Sequence, residues 1–115
     1  MATKVQAKVM ATKDEGEIVT VYQEGPLFVW QAPDGWLVGH MKTGYGVCGK
    51  LRWKMKRDAL AYLQALAAYK ETAEDGSVIE FDWDGDFVDE ESFWKVNEKE
   101  FCRRAFDACK NVTAQ

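Results

Sequence analysis

The sequence predicts an α+β domain: an antiparallel sheet of about five to six strands with two helices packed on one face. Three observations carry this reading. The first half of the chain is a series of short β-prone runs divided by turn clusters. Near residue 56 the apolar period lengthens from two to that of a helix. A capping pattern at Val96–Phe101 opens a second helix close to the C terminus.

The elements follow in order. Val5–Ala11 and Glu17–Tyr22 read as strands separated by the turn cluster Lys13-Asp14-Glu15-Gly16. Gln23-Glu24-Gly25-Pro26 is the next break, and Leu27–Gln31 the next strand. Pro33-Asp34-Gly35 is a turn with a mechanism: Pro presets φ, Asp bonds nearby backbone, and Gly accepts positive φ. Trp36–Met41 continues the meander, Thr43-Gly44 turns it, and Tyr45–Trp53 returns as a strand. Gly46 and Gly49 mark a bulge or a close backbone approach within it.

From about Lys56 to Lys70, Ala59, Leu60, Leu63, Leu66 and Ala67 form an amphipathic helical stripe. Glu74-Asp75-Gly76 turns the chain into a strand over Ser77–Asp84, Gly85–Glu91 is a loop, and Ser92–Lys95 a helical turn. Asn97 and Glu100 stand as N-cap and N3 of the last helix, with Val96 and Phe101 as the staple around them. Phe101, Cys102, Ala105, Ala108 and Cys109 form its inward stripe to about Lys110. No linker, repeat or low-complexity tract divides residues 1–115, so they read as one domain.

The totals narrow the function classes. A composition that is 47% hydrophobic and 13% aromatic builds a core without disulfide or metal staples. Cys48, Cys102 and Cys109 are odd in number and lack metal-ligand spacing, which reads as reduced, mostly buried thiols in the cytoplasm. Met1–Lys13 is polar and mixed rather than a secretory signal, and no run approaches a membrane span. The formal net charge is −4, so the average field does not favour nucleic acid. The distribution is bipolar: Glu71–Glu100 holds 12 acidic and 2 basic residues, while the remainder holds 7 acidic and 13 basic.

Two segments concentrate that charge on a period of two. Lys50, Arg52, Lys54, Lys56 and Arg57 surround Leu51, Trp53 and Met55, which are expected to point into the core. Glu80, Asp82 and Asp84 alternate with Ile79, Phe81 and Trp83, expected likewise to point inward. The two stripes could form a cross-strand ladder worth roughly 0.2–1 kcal/mol per pair. Otherwise each stripe is a separate solvated or binding face. Basic residues interleaved with an aromatic can bind phosphates, and Lys56 and Arg57 add positive charge where helix N–H groups are open. However, Trp53 lies on the strand face opposite the bases, which disfavours base stacking.

The acidic run continues through Asp86, Asp89, Glu90 and Glu91. Its spacing from Glu80 to Glu91 nears that of a calcium loop, but position 1 is Glu, and Ala73–Ile79 reads as turn and strand where an EF-hand needs a helix. No metal site or cofactor is assigned. A line of outward carboxylates can instead imitate a nucleic-acid backbone and occupy a basic groove on a partner. His40, the sole histidine, falls near Val47 and Cys48 when the strands pair about Thr43-Gly44, but no third residue orients a Cys–His pair. Trp30 and Trp36, flanking the Pro-Asp-Gly turn, are the tryptophans least tied to a core role.

The stretch Asp34–Gly44, with the pattern W-x-V-x-H-x-x-T-G, followed by Lys56-Arg57-Asp58-Ala59-Leu60, resembles small accessory proteins of phages and mobile elements. The resemblance spans about Asp34 to Leu66 and implies a protein that blocks a host machine, such as an anti-restriction or anti-CRISPR inhibitor. It carries no residue role with it. The sequence reading is therefore a non-enzymatic interaction protein. Its acidic surface, made of Glu80, Asp82, Asp84, Asp86, Asp89, Glu90 and Glu91, is expected to bind a basic protein partner, such as a nucleic-acid-binding complex. The alternative is a nucleic-acid or phosphate binder acting through Lys50, Arg52, Lys54, Lys56 and Arg57.

Overall fold

A computed structural model of the chain describes residues 2–10, 17–48, 51–85 and 95–112. The fold is α+β; among the described residues six strands are divided between a four-stranded antiparallel sheet and a two-stranded hairpin, and two helices are delimited. Strands β1 (Thr3–Val9), β2 (Glu17–Glu24), β3 (Leu27–Ala32) and β4 (Gly35–His40) lie in sequence order. Helix α1 (Lys56–Ala68) follows, then β5 (Lys70–Thr72), β6 (Val78–Glu80) and helix α2 (Lys99–Cys109).

The turns explain the meander. Glu24 pairs with Leu27, so β2 and β3 are joined by Gly25-Pro26 alone. Gly25 has φ +62°, the positive value that the first central position of a type II′ hairpin turn requires. Ala32 pairs with Gly35 across Pro33-Asp34. The expected turn cluster at Lys13–Gly16 lies outside the described residues.

Register sorts the side chains into two faces. Val9, Val21, Phe28 and Leu37 share one face, and Leu27, Val29, Val38 and His40 share the other; all eight are buried. Strands covered on both faces lose the polar-out alternation, which is why β3 and β4 read as nearly continuous apolar runs. Phe28 stands opposite Gly39, and its ring occupies the place where a Cβ on Gly39 would sit. The Met10 N–H donates to the Gly44 carbonyl at 2.9 Å. That bond joins the end of β1 to the turn beyond β4, so opposite margins of the sheet curl toward one another.

Helix α1 packs against β3 and β4, and α2 packs against α1. Ala59, Tyr62, Leu63 and Leu66 are the buried residues of α1. Tyr62 goes beyond the expected stripe: its ring meets Trp53 at 4.8 Å, and its hydroxyl donates to the Val47 carbonyl at 3.1 Å. A buried phenol is retained because its polar end is satisfied. In α2, Phe101, Cys102, Ala105 and Cys109 are buried, whereas Ala108 faces solvent.

Three expectations are corrected. In the expected strand Tyr45–Trp53, the described residues form isolated bridges, Gly39 with Gly46 and Trp36 with Trp53. Without a continuous ladder the period-two pattern has no pleat to obey. Leu51 and Met55 are therefore exposed, and Trp53 is only half-buried. Second, the helix expected to run to about Lys70 ends at Ala68: β5 begins at Lys70 and supplies the partner strand of β6, with Lys70 opposite Glu80. Third, Asn97 is not the N-cap of α2. Glu98 occupies that position without a side-chain cap bond, while Asn97 Oδ1 accepts the Asp82 N–H. The expected helical turn at Ser92–Lys95 lies almost wholly outside the described residues.

Candidate partner-binding site

The acidic segment leaves a short hairpin. Gly76 at φ +87° closes the turn between β5 and β6, and the Asp75 carboxylate accepts both the N–H and the hydroxyl of Ser77. This entry is strand and turn, not the helix that an EF-hand requires. Among the described residues no cluster of three or more metal-ligating side chains occurs.

Beyond Glu80 the chain drops Phe81 into the core, where it meets Phe101 at 4.9 Å and stacks on Trp83 at 4.5 Å. Burying Phe81 anchors the two carboxylates beside it at the surface. Asp82 and Asp84 are exposed, as is Glu80 at the end of β6. The expected inward direction therefore holds for Phe81, while Ile79 and Trp83 are half-buried.

Three side chains from different parts of the fold grip the backbone of this turn. The Asp82 N–H donates to Oδ1 of Asn97 at 2.7 Å, from the lead-in to α2. The Trp83 carbonyl accepts from Nε2 of His40 at 2.7 Å, from the end of β4. The Asp84 and Gly85 carbonyls accept from Nζ of Lys42, at 2.8 and 3.3 Å. A turn held at successive residues presents its carboxylates in one geometry, which lowers the ordering cost of binding.

His40 is 1% exposed, and donation from Nε2 to a carbonyl sets its tautomer. The neutral ring then accepts at Nδ1 from the Thr43 hydroxyl, 3.0 Å away. Burial holds its pKa below the ordinary value, outweighing the opposite pull of the Trp83 bond and the Asp84 charge. Both ring nitrogens are thus engaged away from Cys48. The Cys48 thiol is buried, accepts from the Val38 N–H at 3.5 Å, and has its pKa raised by desolvation. Cys102 and Cys109 are also buried free thiols shifted upward by desolvation, Cys102 to about 11.

The basic stripe does not form a ladder with the acidic one. The β6 partner is β5, and Lys70 Nζ lies 3.6 Å from the Glu80 carboxylate in an exposed pair. Arg52 instead pairs with Asp34 at 3.1 Å and donates to the Leu51 carbonyl at 2.8 Å. Lys56 places its ammonium 3.6 Å from the centre of the Tyr22 ring. Lys54 and Arg57 are exposed. The alternative anion-binding set is thereby split between intramolecular partners and solvent. Lys50, Asp86, Asp89, Glu90 and Glu91 lie outside the described residues.

Between the Gly25-Pro26 turn and the acidic turn lies an open groove of about 640 Å³, lined by Pro26, Met41, Lys42 and the run Phe81–Asp84 among others. Sequence reasoning found Asp82 and Asp84 by their charge but missed His40, Lys42 and Asn97 as holders of the turn. Nothing local to those three residues signals a partner some 40 positions away in the case of His40 and Lys42, or 15 in the case of Asn97. Of the two half-buried tryptophans flanking the Pro33-Asp34-Gly35 turn, Trp36 contacts Tyr22 at 6.0 Å and packs with Trp30 against the core.

Among the described residues no helix is long and apolar enough to cross a membrane. No family model matches the chain, and neither a curated protein nor a solved structure was found to match it.

Proposed function

We propose that this chain is a non-enzymatic interaction protein whose acidic surface binds a basic protein partner. The surface comprises Glu80, Asp82 and Asp84, extended in sequence by Asp86, Asp89, Glu90 and Glu91. The supporting observation is the acidic turn itself: Asp82 and Asp84 are exposed while their backbone is gripped by Asn97, His40 and Lys42. Among the described residues the basic stripe does not neutralise these carboxylates, since Arg52 is paired with Asp34 and β6 with β5. Preordered carboxylates attract a basic face, steer its approach and penalise acidic competitors. Where that face normally holds nucleic acid, occupation by this protein inhibits it, as an anti-restriction or anti-CRISPR factor would.

The experiment is affinity capture from lysate of the native source at about 0.05 and about 0.5 M salt, since screening shortens the reach of charge from about 14 Å to about 4 Å over that range. The wild type should capture a partner that high salt releases. The variant carrying Asp82, Asp84, Asp86 and Asp89 each changed to Lys should stay folded and lose it. Equal capture by the reversed variant refutes the reading.

A further inference from the structure

We propose that the groove beside the acidic turn is a receptor for an arginine side chain, the guanidinium lying against Trp83 and between the carboxylates of Asp82 and Asp84. The inference deepens the proposed binding of a basic partner and rests on that reading for the source of the arginine. It is argued from the groove's own chemistry.

The lining combines two features that a guanidinium requires together. One is aromatic and apolar surface: Phe81 and Trp83 are stacked at 4.5 Å, and Pro26 and Met41 lie across from them. Trp83 is half-buried, packs against Phe81 and His40, and is among the residues that line the groove. A planar cation stacks on such a ring, and the methylene stem of an arginine covers the apolar remainder. The other feature is the pair Asp82 and Asp84, two residues apart on a turn whose backbone is already held. Carboxylates match the guanidinium fork, which binds them through paired N–H donors.

Charge selects the occupant. Lys42 also lines the groove, but its ammonium is bound to the Asp84 and Gly85 carbonyls, and the two carboxylates outnumber it. Burial lowers the pKa of His40 and favours its neutral form, with Nε2 donating to the Trp83 carbonyl. The groove therefore carries net negative charge inside a segment, Glu71–Glu100, that has 12 acids against 2 bases. Lysine fits less well: its ammonium is compact and strongly hydrated, and it cannot stack. The volume of about 640 Å³ accommodates one such side chain with its flanking backbone.

The test uses acetylated, amidated Gly-Arg-Gly, with Gly-Lys-Gly and Gly-citrulline-Gly as comparisons, titrated into the labelled full chain and read by the Trp83 indole N–H resonance. That resonance is assigned from a Trp83→Phe variant, which keeps an aromatic ring on Phe81. The arginine peptide should shift it saturably and bind at least about fivefold more tightly than the citrulline peptide, which keeps the shape but lacks the charge. Lysine should fall between them. The exposed double variant Asp82→Asn with Asp84→Asn should weaken arginine binding by at least about fivefold while leaving the rest of the spectrum folded. No saturable shift at Trp83, equal binding of citrulline, or no response to the double variant overturns the proposal. The two readings fail separately. If charge reversal abolishes partner capture but no peptide moves Trp83, the acidic surface stands and the groove does not. If the peptides behave as expected but capture survives charge reversal, the groove stands and the acidic-surface reading falls.

Discussion

Replacing Asn97 by Ala tests whether that residue tethers the acidic turn or caps α2. Asn97 is 4% exposed, and its Oδ1 accepts the Asp82 N–H at 2.7 Å. Alanine fills less of the space and leaves the Asp82 donor in a partly buried site. Removing one partner of such a bond costs about 1–3 kcal/mol, because the remaining group loses its partner without regaining full hydration. In a chain of this length each kcal/mol lowers Tm by roughly 3–6 °C. The defect should also be local. Exchange of the Asp82 amide with solvent should accelerate by about 5- to 150-fold, the same energy expressed as a rate ratio. Phe101→Ala should be costlier, about 3–5 kcal/mol, since a ring that is 1% exposed is removed from among Phe81 and Tyr69. Denaturant melts and amide exchange measured on both variants decide the matter. If Asn97→Ala leaves Asp82 protection intact and instead frees the first-turn amides of α2, the tether is wrong and the capping assignment is right.

Three further outcomes follow from the same geometry. The pKa of His40 lies below the ordinary value of 6.5 in the folded chain, so the unfolded chain binds more protons in the window between the folded pKa and 6.5. Stability should thus be flat above about pH 6.5 and fall as pH drops through that window; His40→Gln, which keeps a donor for the Trp83 carbonyl, should flatten the slope, and an unchanged slope would assign acid sensitivity to other groups. Gly39→Ala should cost about 1–3 kcal/mol by overpacking, since the new Cβ would stand 2.7 Å from two Phe28 ring carbons; a melt unchanged from wild type would show that the ring moves aside freely. Changing Lys54, Lys56 and Arg57 together to Ala should leave partner capture intact, because these residues belong to the segment around the start of α1 and not to the acidic turn; loss of capture, with salt-dependent oligonucleotide binding by the wild type, would favour the alternative reading.

The α+β class, the positions of the first four strands and the start of α1 are legible in the residues alone. These depend on local rules: period-two and helical patterns, and turns such as Gly25-Pro26 whose backbone demands are met by the residues present. The sequence also locates the acidic stripe, since charge is legible without coordinates. Tertiary structure decided what those patterns became. Tyr45–Trp53 carries strand-like alternation, but its described residues form isolated bridges in place of a ladder, and Leu51 and Met55 face solvent. Lys70–Thr72 carries no strand signal of its own and is one only because β6 folds back on it. Asn97 has the residue type and spacing of an N-cap, yet its carboxamide bonds the Asp82 amide instead. A side-chain acceptor satisfies whichever buried donor the fold brings to it, and short-range sequence rules cannot rank a donor 15 residues away against one in the next turn. The same holds for His40 and Lys42, whose roles in the acidic turn arise from contacts spanning more than 40 residues.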